Sequence, residues 1–153
     1  MALLKHIKNI FKAAEEKEWF ETYWAFDFHS TIFKPTYDTN ARSIEYYPFA
    51  KECLQLLSGR DDIFLITWTS SHPDEIARYN KIFQSDGIYF DHINTNPGIS
   101  SKLGNFGHYE SKFYFNILFE DKAGFDPETE WEEIYNYLKD TDYRPNNDWD
   151  TKY

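Results

Sequence analysis

Tyr23-Trp24-Ala25-Phe26-Asp27-Phe28-His29-Ser30-Thr31 runs from an apolar, largely aromatic segment into a carboxylate and a polar turn. A run so short and so rich in rings fits a buried strand. A strand that ends on an aspartate delivers an acid to one edge of a sheet, and the rest of the chain decides what arrives beside it.

Upstream, Leu3, Leu4, Ile7, Ile10 and Phe11 recur at helical spacing and a charged stretch follows, which predicts an amphipathic helix over residues 2–18. A handful of lysines is little for a membrane-surface helix, so docking on the core is the expectation. Downstream, residues 38–42 are turn material. The segment Ile44–Leu57 reads as a helix with Phe49, Cys53, Leu54 and Leu57 on one face, ended by Ser58-Gly59. Residues 63–67 read as a second buried strand and Pro73–Phe83 as a helix with proline in its first turn. Residues 88–93 and 113–119 give two further strands, separated by the loop signal Asn94-Thr95-Asn96-Pro97-Gly98, and residues 128–138 a last helix. Strands alternating with helices, and strands apolar throughout, predict an α/β fold: a Rossmann-like three-layer α/β/α sandwich with a mainly parallel sheet. The expected organisation is an N-terminal helix packed on the core (residues 1–20), one domain over 21–140 and a polar tail over 141–153.

With 153 residues the chain has the size of a single domain that buries enough surface to fold without a staple. Cys53 is the only cysteine, which excludes an internal disulfide and a cysteine zinc site and makes a reducing cytoplasm the expected compartment. No apolar run is long enough for a membrane span. The formal charge of -10 disfavours a broad nucleic-acid or anionic-membrane surface, but one cation and a metal in a cleft still admit a small phosphorylated substrate.

Ligands of such sheets bind at the carboxyl ends of the strands. There the sequence places Asp27-Phe28-His29-Ser30-Thr31, then Trp68-Thr69-Ser70-Ser71, then Glu120-Asp121 with Asp126 five residues on, and Lys112 precedes the last strand. A carboxylate can carry a phosphoryl group as an acyl phosphate. Carboxylates supply the hard oxygens that Mg²⁺ takes. Hydroxyl and ammonium donors stabilise the charge on non-bridging oxygens.

These four segments resemble, in order, the motifs of the haloacid-dehalogenase-like (HAD) superfamily. Trp24–Thr31 is similar to the family's apolar run followed by D-x-D-x-T, and Leu65-Ile66-Thr67-Trp68-Thr69 to the strand ending in Thr or Ser. Lys112 is similar to the third-motif lysine, with Lys102 as a rival, and residues 120–126 to the acidic fourth motif. Phe90-Asp91-His92-Ile93-Asn94-Thr95-Asn96-Pro97 further resembles small, nearly capless bacterial and phage members. The resemblance covers residues 23–138. It implies a Mg²⁺-dependent phosphatase in which Asp27 is nucleophile and metal ligand, and in which Thr69 and Lys112 bind the phosphoryl group with Thr31 and Ser70 beside them. It also implies Asp121 as a metal ligand, Glu120 or Asp126 as a ligand through water, and a place for the backbone carbonyl of His29 in the metal shell.

The family's phosphatases usually carry a second Asp where this chain has His29. Histidine takes over the acid/base role, titrating near neutrality; or the site binds phosphate compounds with little turnover; or the reaction is another one. The remaining residues have plainer readings as well. Thr69, Ser70 or Ser71 would serve as a helix cap, Lys112 as a solvated lysine, Glu120 and Asp126 as loop charge, and His92 as a packed histidine. The intervals between motifs leave no room for a sizeable cap, so the site is expected to be open. A receiver-like phosphoacceptor domain would need its acidic pair after the first strand and its acceptor aspartate after a later one, the reverse of the order here. A HAD-like domain that has lost efficient catalysis and binds a phosphorylated ligand or a protein is the other reading carried forward.

Overall fold

The computed structural model describes residues 2–35, 45–99 and 112–141. Helix α1 (Ala2–Lys17) leads into β1 (Thr22–Phe26), α2 (Ala50–Ser58), β2 (Ile63–Thr67), α3 (Pro73–Ser85), β3 (His92–Ile93), β4 (Ile117–Phe119), a single tight turn Asp121–Ala123 and α4 (Glu130–Lys139). The strands form one parallel sheet in the order β3-β2-β1-β4. This is the expected Rossmann-like α/β fold.

Alternate strand residues point to opposite faces, and the register groups them. Trp24 and Phe26 lie level with Leu65 and Thr67 on one side and with Ile117 and Phe119 on the other. That face carries the main core, to which α1 adds Ile7 and Phe11, α2 adds Cys53, Leu54 and Leu57, α3 adds Tyr79 and Phe83, and α4 adds Trp131, Ile134 and Leu138. Right-handed crossovers account for α2 and α3 sharing a face, since β1, β2 and β3 step in one direction. The passage from β3 back across to β4 runs the other way and belongs on the opposite face. As far as it is described, it does: Ile99, Phe113, Tyr114 and Phe115 cover Tyr23, Ala25 and Ile66. Among the described residues this connection, rather than a helix, makes the second outer layer. It lies close to the sheet because Gly98 has no side chain; a β-carbon there would sit 3.0 Å from the Tyr23 hydroxyl.

Three elements are shorter than their apolar runs predict. Only His92–Ile93 of residues 88–93 pairs as a strand, and Ile88 and Phe90 instead pack into the main core. Of residues 113–119 only Ile117–Phe119 pairs, because Phe113, Tyr114 and Phe115 are used to cover the far face. Helix α2 starts at Ala50: Tyr46 bridges to Phe33, and Phe49 takes a left-handed φ of 66°. Residues 38–42, Ile44, Lys102, His108 and the tail beyond Thr141 lie outside the described residues, as does the start of the expected helix at residue 44. No described helix is long and apolar enough to cross a membrane. Helix α1 docks by its apolar stripe of Leu3, Leu4, Ile7, Ile10 and Phe11.

Candidate active site

The strand order reverses between β1 and β4: the chain steps from β1 to β2 to β3, then returns to the other side of β1. At such a switch point the connections leave in opposite directions and open a crevice beyond the strand ends. The backbone ladder continues just far enough to fix its rim. Asp27 N–H donates to Phe119 O (3.0 Å), Trp68 N–H to Phe26 O (2.7 Å) and Asn94 N–H to Thr67 O (2.9 Å). The residue following each of β1, β2 and β3 is therefore held by the neighbouring strand.

The crevice is an open cleft of about 580 Å³ lined by Asp27, His29, Ser30, Trp68, Thr69, Ser70, Ser71, Asn94, Glu120, Asp121 and Lys122. At its base the carboxylates of Asp27, Glu120 and Asp121 each place an oxygen within 4.8 Å of the others. Oxygens around an octahedral Mg²⁺ lie roughly 3–4 Å apart, given bonds of about 2.1 Å. A small inward movement would thus give three hard donors to such an ion. Holding these acids so close together is electrostatically costly. Loss of water on burial raises the pKa of Asp27, the Phe28 amide opposes this, and the charge of Asp121 adds to it. Burial, a hydrogen bond with Asp121 and the nearby charge of Asp27 push Glu120 up to about 7. A cation would relieve these terms together.

Thr31 sets the geometry of the acids. Its Oγ1 accepts the Asp121 N–H at 3.1 Å and shares its proton between Asp27 Oδ2 (3.4 Å) and Asp121 Oδ1 (3.3 Å). The Thr31 carbonyl in turn accepts the indole N–H of Trp131 at 2.7 Å, which ties the loop to α4. Thr31 is fully buried and does not line the cleft, so its expected role in substrate binding is corrected to one of positioning.

Thr69 lies on the rim. Asn94 clamps its backbone, accepting the Thr69 N–H (2.9 Å) and donating to the Thr69 carbonyl (2.8 Å). Thr69 Oγ1 accepts the Ser71 N–H and donates to Ser71 Oγ, closing a tight turn. Helix α3 is preceded by His72 without a side-chain cap, so capping does not explain Thr69, Ser70 or Ser71. Ser30 (φ 62°) and Asn94 (φ 53°) both hold left-handed backbone and both line the cleft. Such conformations persist where surrounding bonds dictate them.

His29 lines the cleft with its side chain half exposed, its Nε2 3.3 Å from the Tyr79 hydroxyl and 4.0 Å from Glu75 Oε2. Two expected site residues are not brought in. Lys112 is exposed and is not among the residues lining the cleft; among the described residues the lysine that does line it is Lys122, on the turn after β4. Asp126 is likewise not a cleft residue, because its carboxylate accepts the Glu128 N–H and the Thr129 hydroxyl ahead of α4. His92 stacks on Phe64, a packed histidine. Sequence reasoning gave no site role to Trp68, Asn94 or Lys122. All three stood within quoted motifs, but for Lys122 nothing in the sequence separates a cleft lysine from a solvated one.

No family model matches the sequence, and no curated protein does. A solved structure does. It is that of a conserved protein coded by a locus of Bacteroides thetaiotaomicron, with a TM-score of 0.57, 24% identity, and coverage of 80% of this chain and 93% of that one. The likeness establishes the fold and leaves the chemistry to the residues of the cleft.

Proposed function

We propose that this protein is a Mg²⁺-dependent phosphohydrolase of HAD-like type that cleaves a small phosphomonoester through an aspartyl-phosphate at Asp27. The observation that carries this reading is the meeting of Asp27, Glu120 and Asp121 at the switch point of a parallel sheet, with a hydroxyl-lined rim above them. Asp27, Asp121 and Glu120 would hold the ion, with the His29 carbonyl completing its shell. Bound Mg²⁺ would supply charge neutralisation between the nucleophile and the phosphoryl oxygens.

The protein's own groups account for the remaining steps. An oxygen of Asp27 attacks phosphorus and the ester P–O bond breaks, with the departing alkoxide taking a proton from protonated His29. Water then attacks the phosphorus of the acyl phosphate and gives a proton to neutral His29, so phosphate leaves and both residues return to their starting states. Tyr79 and Glu75, both near His29 Nε2, would orient the imidazole. Thr69, Ser70 and Lys122 offer donors to the non-bridging oxygens. With Mg²⁺ and an aryl phosphate, the wild-type protein should turn over and Asp27→Asn should not. Equal rates for the two across a panel of phosphomonoesters would defeat the proposal.

One observation favours a second reading, a phosphate-binding domain with weakened catalysis. Lys112 does not line the cleft, and among the described residues only Lys122 supplies a lysine or arginine to its lining. On that reading His29→Asp raises activity from near zero; on the first reading it does not.

A further inference from the structure

Among the described residues Trp68 is the one large apolar side chain in an otherwise polar cleft lining, and it is 40% exposed. An indole left in water at the mouth of a polar site forgoes burial that the core offers to Trp24 and Trp131, which are fully buried. Its placement is fixed at both ends. The Trp68 amide is held by Phe26 O at 2.7 Å, and its ring packs edge-on against Phe113 with centroids 5.5 Å apart. It immediately precedes Thr69, whose backbone Asn94 clamps. The ring is therefore a fixed surface beside the carboxylate cluster. Among the described residues nothing caps the cleft, so there the group that carries the phosphate meets the rim, whose apolar surface is this indole.

We infer that Trp68 is a specificity-determining stacking platform, and that the substrates are phosphomonoesters carrying a planar aromatic ring, of the nucleoside monophosphate class. The inference rests on the phosphohydrolase reading and extends it to the substrate. The net charge of -10 favours a small aromatic phosphate over a long nucleic-acid strand, which would bring many further negative charges to the surface.

The test compares a matched pair, adenosine 5′-monophosphate and ribose 5-phosphate, in which a hydroxyl stands in place of the adenine ring. With wild-type protein and Mg²⁺, kcat/KM should favour the nucleotide. Trp68→Ala should lower it by roughly 5- to 150-fold more for the nucleotide than for ribose 5-phosphate, the range that base–aromatic stacking commands. Trp68→Phe should restore most of the loss. Equal losses on both substrates, or no initial preference, would overturn the inference. Should no substrate turn over, the phosphohydrolase reading fails by itself. Calorimetric binding of the same two compounds, with wild type and with Trp68→Ala, then decides the platform separately: a preference for the nucleotide that Trp68→Ala abolishes supports it, and any other result rejects it.

Discussion

The hydroxyl of Thr31 lies between two carboxylates that repel each other, accepting one amide proton and sharing its own. Thr31→Val keeps the volume but takes the acceptor from the Asp121 N–H and one of its donors from Asp27. Loss of such an outer partner typically costs about 10–100-fold in metal affinity. Calorimetric titration with Mg²⁺ or Mn²⁺ should show a drop of that order for Thr31→Val and a smaller one for Thr31→Ser. Unchanged affinity in the valine variant would reduce Thr31 to a packing residue. At this scale Asp27, Thr69 and Asp121 were legible, because each directly follows a strand or lies within two residues of its end, and parallel strands bring their ends to one edge. Lys122 and Asn94 were not. A lysine has the same sequence signature in solvent and in a cleft, and the left-handed backbone that turns Asn94 toward Thr69 leaves only a loop signal.

The segment between β4 and α4 shows what an element does with an acid. Gly124, with φ 103°, closes the turn after Asp121, and Asp126 then serves the start of α4: its N–H donates to Glu130 Oε2 and its carboxylate takes two donors. Asp126→Ala should lower stability by about 1 kcal/mol, as removal of a helix cap does, and leave metal affinity intact. Thermal denaturation and metal titration on the same variant check both halves, and weakened metal binding would return Asp126 to the site. An acid shortly after a strand reads alike as ligand or cap, since the difference lies in the direction the chain takes after the turn. Element ends were hidden for a related reason. Phe113–Phe115 and Ile88–Phe90 are as apolar as any strand, but their rings cover a face or fill the core while the backbone leaves the ladder. Helix α3 and strands β1 and β2 were readable because period and boundary residues agreed.

For the molecule as a whole, the acidic cluster makes stability depend on pH. An ordinary glutamate titrates near 4.5, and folding raises Glu120 to about 7. The folded state then binds this proton more tightly than the unfolded chain does. The group's contribution is fully present below about pH 4.5 and is lost as pH rises through about 7. The Tm of metal-free protein should fall across that window and fall less in Glu120→Gln. Mg²⁺ should raise Tm more at pH 7.5 than at pH 5, because it competes with the proton. A Tm that holds level between pH 5 and 7.5, the same in wild type and Glu120→Gln, would contradict this account. The sheet order carries a consequence for biosynthesis. β1 is flanked on one side by β2, but its other edge waits for β4; the Tyr23 amide pairs with Asn116, 93 residues later in the chain. Until that segment leaves the ribosome, the apolar run Thr22–Phe26 has one bare edge, the kind of template on which strands from separate chains stack. The three-residue β4 therefore acts as a late-arriving seal, and translation stalled short of Ile117 would leave a product prone to clump and unable to assemble its carboxylate cluster.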